Sequence, residues 1–142
     1  MSRIYVVAVL LALSIAASNA AAANGKKSAM PHDHWMAPPE SANHANPTKA
    51  DHASLERGKK LFEAKCAVCH GQRGRGDGPR AKDLDRRPAD LVRMGPGHSD
   101  GDFAWKIAEG RTPMPPFKSS LSEAQIWDVV NYIKRGLPRN KK

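Results

Sequence analysis

The only two cysteines of this 142-residue chain, Cys66 and Cys69, are separated by two residues, and His70 follows the second directly. A C-x-x-C-H segment is typical of a c-type haem attachment site. Two thiols at this spacing can add to the two vinyl groups along one porphyrin edge, and the adjacent imidazole is then held beside the iron as an axial ligand. The segment therefore predicts one covalently bound haem c with His70 as its first ligand.

Three other interpretations of the cysteine pair are open at this point. A redox-active dithiol of the thioredoxin type requires a βαβ context, which the sequence pattern does not supply. A structural zinc site requires four ligands, and no second Cys or His pair lies at the usual spacing. A simple disulfide would fit an exported chain with an even number of cysteines. Haem is the favoured interpretation.

The first 20 residues predict a cleaved secretory signal peptide. Arg3 precedes an apolar run over residues 4–17, and small residues follow at 18–20. A membrane anchor is the alternative, but the run is shorter than the roughly 20 residues that a spanning helix needs. Cleavage removes one positive charge, so the formal net charge falls from +9 to +8. This surplus favours anionic partners, and nucleic acid is a weak candidate for an exported protein.

Residues 21–53 predict a flexible leader that lies outside the domain core. They are rich in Ala, Pro, Asn and His and have no apolar period. Copper binding and partner docking through Trp35 are alternative roles for this segment. The residues that would support metal binding are Met30, His32, His34, Met36, His44 and His52. The remaining domain is expected over residues 54–142, with a short basic C-terminal tail.

The domain begins with a predicted helix over residues 55–65 that is capped by Ser54 and leads directly into Cys66. Gly58 is costly inside a helix, by about 1 kcal/mol relative to alanine, and a close helix contact would justify it. Glycines among charges then predict a loop over residues 71–88.

The second half of the domain contains two further predicted helices. One covers residues 101–109, and a proline-rich loop with one methionine follows at 111–117. The last helix begins at a capping box formed by Ser120 and Glu123 and ends at Gly136.

Residues 58–70, GKKLFEAKCAVCH, resemble the N-terminal helix and haem motif of class I cytochromes c. The likeness extends over residues 54–136. It implies an all-α class I cytochrome c fold, in which three to five short helices wrap around one haem c. It also implies a periplasmic location, of the kind seen in short bacterial members of the family.

The resemblance implies a specific contact between the first and last helices. In the family, a glycine and an aromatic residue on the first helix pack against an aliphatic and an aromatic residue on the last. Gly58 and Phe62 match the first pair, and Val129 and Tyr132 match the second.

The resemblance also implies a second axial ligand, a methionine in a proline-rich loop before the final helix. Met114 matches this position, and a thioether opposite an imidazole raises the reduction potential. Met94, His98 and an open coordination site are the alternatives.

Two further roles are implied by the family pattern. A proline after the motif commonly accepts, through its carbonyl, a hydrogen bond from the second ring nitrogen of the haem-ligating histidine, and Pro79 matches it. Trp105 resembles the indole that donates to a haem propionate, with plain packing as the alternative.

The predicted function is a periplasmic electron carrier, not an enzyme, which can serve as an electron-transfer subunit of an oxidoreductase. Basic residues in the loop after the motif are candidates to attract redox partners with acidic docking surfaces. These residues are Arg73, Arg75, Arg80, Lys82, Arg86 and Arg87. The first alternative is a metal-handling accessory module whose leader binds copper. The second, less favoured, is a haem peroxidase with a displaceable sixth ligand.

Overall fold

The computed structural model describes residues 35–139, so the predicted signal peptide, residues 21–34 and the last three residues lie outside it. The described chain is helical and carries no β-strand, which confirms the all-α fold. Its α-helices are α1 (Pro39–Ala42), α2 (His52–Lys65), α3 (Ala67–His70), α4 (Leu91–Met94), α5 (Asp100–Glu109) and α6 (Glu123–Asn131). None of them is long and apolar enough to span a membrane.

The central packing of the domain is between α2 and α6, together with the π-helical turn Tyr132–Gly136 that extends α6. A Cβ atom on Gly58 would lie 2.0 Å from the carbonyl oxygen of Asp128, so only glycine allows the two backbones to approach this closely. Phe62 is fully buried, and its ring centroid lies 5.4 Å from that of Tyr132. The predicted contact between the first and last helices is confirmed.

Helix α2 begins earlier than the sequence predicted, and Ser54 is not its N-cap. Asp51 caps the helix by accepting a hydrogen bond from the Ser54 N–H at 2.9 Å. The Ser54 hydroxyl is buried and donates to the Asp128 carboxylate at 2.7 Å. The prediction was wrong because a tertiary hydrogen bond, which local sequence does not reveal, engages this hydroxyl.

Helix α6 is also capped two residues later than predicted. Ser122 and Gln125 form the capping box, whereas the Ser120 hydroxyl donates to the Phe117 carbonyl within the preceding turn. The expected pairing of Ser120 with Glu123 is therefore wrong. Both candidate boxes satisfy the sequence rule, and the turn that closes the preceding loop selects between them.

The predicted flexible leader over residues 21–53 is wrong for its described part, because residues 35–51 pack on the domain. We call these residues the N-terminal strap. The Ala37 N–H donates to the buried Asp102 carboxylate at 2.8 Å, and the Asn46 side chain donates to Asn131 at 2.9 Å. A segment held by hydrogen bonds of this kind shows no hydrophobic periodicity in its sequence. Composition alone therefore places the start of the domain too far along the chain.

Candidate haem site

Cys66, Cys69, His70 and Met114 line a single cleft. The cleft encloses about 810 Å³ of space, part of which is open solvent. Apolar side chains provide much of the remaining wall: Trp35, Leu84, Pro88, Pro113, Pro115 and Phe117. Two thiols, an imidazole and a thioether around an apolar cleft are the donor set that a covalent haem requires.

The Cys66–His70 segment directly follows helix α2 and contains helix α3. The N–H of Cys66 donates to the Phe62 carbonyl at 2.8 Å, so the first cysteine directly continues α2. The loop that follows α3 returns beneath it, and the N–H groups of Gly76 and Gly78 donate to the carbonyls of His70 and Cys69. These bonds satisfy carbonyls at the end of a helix of four residues, which has little stability of its own.

Burial in the cleft sets the protonation state of Cys66. Removal from water raises the pKa of its thiol to about 11, and the nearby Lys65 only partly opposes this shift. A free thiol at Cys66 is therefore neutral at physiological pH.

His70 is oriented by the carbonyl of Ala89, which lies 3.1 Å from its Nδ1 atom. A carbonyl oxygen only accepts, so Nδ1 carries the proton and Nε2 keeps its lone pair for a metal. Burial lowers the pKa of this imidazole, and the Ala89 hydrogen bond opposes the shift only in part. The side chain is therefore in the neutral form that binds iron.

The prediction that Pro79 orients His70 is wrong, since Ala89 occupies that role. Pro79 instead lines a groove beside Val68 and Asp77, away from the cleft. The reason is the path of the loop. The Arg80 N–H donates to the carbonyl of Val68 at 2.9 Å, so the chain is still beneath α3 at Pro79 and reaches the imidazole only ten residues later.

Met114 lies in a short turn that closes on itself. The N–H of Arg111 donates to the Met114 carbonyl at 2.9 Å, and the N–H of Met114 donates to the Arg111 carbonyl at 2.8 Å. The turn is joined to α5 by the Phe117 N–H, which donates to the Ile107 carbonyl at 3.1 Å. The methionine is thus fixed through its own backbone to a helix of the core.

The two rival ligands lie elsewhere. Met94 is on α4, packs against the hydrophobic core and does not line the cleft. His98 lies with its Nδ1 atom 2.6 Å from the Asp102 carboxylate and is likewise absent from the cleft wall. Of the three candidates, the structure brings only Met114 together with His70.

The tryptophan on the cleft wall is Trp35 and not Trp105 as expected. Trp105 lines a separate groove with Ala108 and Trp127, and its ring centroid lies 6.0 Å from that of Trp35. Sequence reasoning missed Trp35 as a site residue because it falls in the segment assigned to the leader. The available signal was a lone aromatic residue in a segment otherwise poor in large apolar side chains.

The basic residues of the loop after α3 do not share one surface. Arg86 and Arg87 line the cleft, whereas Arg73 lines the groove that contains Pro79. Lys65 and Arg111 add two further positive charges to the cleft wall from other parts of the chain. Within residues 35–139, no group of three or more His, Cys, Asp or Glu side chains is placed to hold a metal ion.

An all-α domain with a C-x-x-C-H segment and a methionine facing one apolar cleft defines a mono-haem c-type cytochrome. The chain belongs to the family described as cytochrome c oxidase, cbb3-type, subunit III, whose family model matches residues 53–133. It is a class I cytochrome c, carries haem c covalently and transfers electrons.

Curated relatives are cytochromes c6. The chain is 35% identical over 86 residues to cytochrome c6 of Synechococcus sp., covering 61% of this chain and 73% of the relative. It is 30% identical over 81 residues to cytochrome c6 of Bumilleriopsis filiformis, covering 57% of this chain and 90% of the relative.

A solved structure with a similar fold is a chain of the reducing HAO-like protein complex of Kuenenia stuttgartiensis. The TM-score is 0.57 and the sequence identity is 30%, with 66% of this chain covered. This chain spans 47% of the length of that solved chain. The similarity thus concerns about half of that solved chain.

Proposed function

We propose that the protein is an electron carrier whose haem is attached through Cys66 and Cys69 and ligated by His70 and Met114. The observation that carries the proposal is the convergence of these four side chains on one apolar cleft. The haem supplies reversible one-electron chemistry at its iron, and the protein makes and breaks no substrate bonds.

The residues around the cleft keep both ligands in place and give it a largely apolar lining. The Ala89 carbonyl holds the His70 ring in the tautomer that leaves Nε2 available. The closed turn from Arg111 to Met114 restrains the thioether side, and Phe117 contributes apolar surface to the same wall. Restraint of both ligands reduces the reorganisation that accompanies each electron transfer, because the coordination sphere is retained in both oxidation states.

We propose that redox partners dock at the mouth of the cleft through acidic surfaces. Lys65, Arg86, Arg87 and Arg111 line the cleft, and the whole chain carries a formal net charge of +9. Charges of one sign around a cleft raise the local concentration of oppositely charged partners and the rate of encounter.

We further propose that the protein acts outside the cytoplasm, after removal of residues 1–20. The signal-like pattern of that segment supports this location. The structural neighbour in a reducing HAO-like complex supports a role as an electron-transfer subunit of an oxidoreductase.

Absorption spectroscopy of the purified holoprotein tests the ligand assignment. The ferrous protein is expected to show a c-type α band, and the ferric protein a far-red methionine-to-iron band. Met114→Ala is expected to abolish the far-red band, to lower the reduction potential and to open the ferrous iron to carbon monoxide. Met94→Ala is the matched control and is expected to keep all three properties.

Two results would overturn this assignment. One is a far-red band that survives Met114→Ala and disappears in Met94→Ala. The other is rapid and complete carbon monoxide binding by the unmodified ferrous protein at neutral pH, which would indicate an open site of the kind that a peroxidase needs.

Small redox reagents of opposite charge test the docking proposal. At low ionic strength, the double variant Arg86→Glu, Arg87→Glu is expected to react at least about tenfold more slowly with ferricyanide, an anion, and faster with a cationic cobalt(III) oxidant. Arg73→Glu, in the other groove, is the control for net charge. If Arg73→Glu and the single variant Arg87→Glu slow the reaction with ferricyanide equally, only the overall charge of the protein determines the rate.

A further inference from the structure

The cleft wall on the methionine side includes a residue from the N-terminal strap. Trp35 lies on this wall, and the guanidinium carbon of Arg111 lies 5.0 Å from its ring centroid. The ammonium nitrogen of Lys106 lies 5.8 Å from the same ring. Both distances are within the roughly 6 Å over which a cation and an aromatic face attract each other.

The Trp35 contact bears directly on Met114. Arg111 is the residue whose side chain meets the indole, and its backbone exchanges two hydrogen bonds with the backbone of Met114. Only Thr112 and Pro113 separate the two residues along the chain. A force on the Arg111 side chain is therefore transmitted to Met114 through one closed turn.

The strap is anchored two residues away from Trp35. The Ala37 N–H donates to Asp102, whose side chain is only 1% exposed and whose other carboxylate oxygen lies 2.6 Å from the Lys106 ammonium nitrogen. A buried carboxylate that accepts hydrogen bonds from charged and backbone donors holds those donors in place. Leaving any of them unpaired would lower the stability of the fold. Lys106 therefore links the anchor to the indole.

Further along the strap, its backbone lies directly against helix α5. A Cβ atom on Gly101 would lie 2.2 Å from the carbonyl oxygen of Ser41, so this glycine permits the close approach. The Ser99 hydroxyl donates to the Ala42 carbonyl at 2.5 Å. The strap is thus held against the same helix at several points and presents Trp35 at a fixed position.

We propose that Trp35 is a positioning residue for the sixth haem ligand. The strap fixes the indole, the indole restrains Arg111, and the Arg111–Met114 turn keeps the thioether in the cleft. This inference rests on the proposed role of Met114 and assigns to residues 35–51 a function in setting the strength of the methionine bond.

Carbon monoxide titration of the ferrous holoprotein measures how readily Met114 is displaced. Trp35→Ala is expected to raise carbon monoxide affinity between slightly more than twofold and about thirtyfold, which corresponds to the range of about 0.5–2 kcal/mol for a cation–π contact from exposed to desolvated. The same substitution is expected to weaken the ferric far-red band. Trp35→Phe, which retains a ring, is expected to restore most of both properties.

Arg111→Gln provides a second variant that leaves the strap unchanged. It is expected to shift carbon monoxide affinity in the same direction, and its combination with Trp35→Ala is expected to add little, since both remove one contact. Met36→Ala is the control, because Met36 is 48% exposed and belongs to the same segment without lining the cleft.

The results separate this inference from the ligand assignment. If the unmodified protein has a far-red band that Met114→Ala abolishes, the assignment stands. Carbon monoxide affinity of Trp35→Ala and Arg111→Gln within twofold of the unmodified protein would then overturn the role of Trp35 alone. An effect of Met36→Ala as large as that of Trp35→Ala would likewise overturn it, because the cause would be general loosening of the strap.

Discussion

The two walls of the haem cleft are built by different means. The wall with Cys66 and His70 is delivered by α2, which packs against α6 through a glycine contact and the fully buried Phe62. The wall with Met114 belongs to a loop, which the strap restrains through a buried carboxylate, hydrogen bonds and a cation–aromatic contact. The first wall depends on close packing of apolar surface, and the second on hydrogen bonds, a buried ion pair and cation–aromatic contacts.

This difference separates stability from ligand restraint. A change in the α2–α6 contact is expected to lower the free energy of unfolding of the whole domain, since that contact forms the core. A change in the strap is expected to act in addition on the ease of methionine displacement. Paired measurements of unfolding and of carbon monoxide affinity therefore distinguish the two walls.

The largest effect is expected from Asp102→Asn. The amide would leave the nearly buried Lys106 ammonium without its negative partner, and loss of one member of a buried ion pair costs about 3–5 kcal/mol. Guanidinium unfolding of the ferric holoprotein measures this loss. Carbon monoxide affinity is expected to rise as well, because Lys106, which contacts the Trp35 ring, would lose its ion pair with the residue that holds Ala37. Unchanged affinity would show that this ion pair does not help to restrain Met114.

Gly58→Ala is expected to destabilise the other wall by about 2–3 kcal/mol, because the new methyl group would meet the Asp128 carbonyl and the helices would have to separate. Unfolding measurements give the cost, and Lys60→Ala on the exposed face of α2 is the control, expected within about 0.5 kcal/mol of the unmodified protein. Carbon monoxide affinity of the folded Gly58→Ala protein is expected to remain unchanged. A rise in this affinity would mean that the two walls are coupled.

Two helix caps offer a matched pair of smaller perturbations. Ser122→Ala and Ser99→Ala each remove a side-chain cap, at about 1 kcal/mol in the free energy of unfolding. Ser99 also donates to the Ala42 carbonyl of the strap, whereas Ser122 lies at the start of α6. Only Ser99→Ala is therefore expected to raise carbon monoxide affinity. Equal affinities for the two variants would contradict the proposed role of the strap.

The smallest effect on the free energy of unfolding is expected from a fall in pH that protonates Asp100 and Asp102. Burial alone would raise the pKa values of Asp102 and Asp100, but hydrogen bonds and positive charges, led by Lys106 and Asn46, outweigh it and lower both. Because the folded-state pKa lies below the unfolded value, the stabilisation is complete above about pH 4 and is lost as the pH falls through the folded-state value.

Unfolding midpoints of the holoprotein, measured between pH 7 and pH 2, check this expectation. The contribution of the two carboxylates is expected to be constant from pH 7 to pH 5 and to decline below about pH 4. Asp100→Asn is expected to remove part of the decline, since it deletes one of the two titrating groups. If the unfolding midpoint of Asp100→Asn falls as steeply with decreasing pH as that of the unmodified protein, Asp100 does not contribute to the pH dependence of stability.

Much of the wall with Cys66 and His70 could be predicted from the sequence. The Cys66–His70 motif depends on covalent chemistry between adjacent residues, so its spacing is visible in one dimension. The pairing of Gly58 with the last helix was implied by a family pattern that also lies at fixed helical spacings. The ends of α2 and α6 were less accessible, because Ser54 and Ser120 use their hydroxyl groups for other hydrogen bonds.

The opposite wall could be predicted only in part. Met114 on this wall was identified by its place in the family pattern. On the first wall, the carbonyl that orients His70 was assigned to Pro79 and belongs to Ala89. The tryptophan was assigned to α5 and is supplied by the strap. Each error concerns a contact between segments without a regular period, for which sequence spacing carries no information on distance in space.

The sequence by itself determined the chemistry of this protein: a haem c attached at Cys66 and Cys69 in an all-α domain of the class I cytochrome c type. Local covalent spacing and helical periodicity are sufficient for that. Only the tertiary structure decided which carbonyl faces His70 and which tryptophan lines the cleft, since these depend on where the polypeptide returns after a loop. The strap that contains Trp35 belongs to the domain for the same reason, because its hydrogen bonds run to Asp102 of α5 and Asn131 of α6.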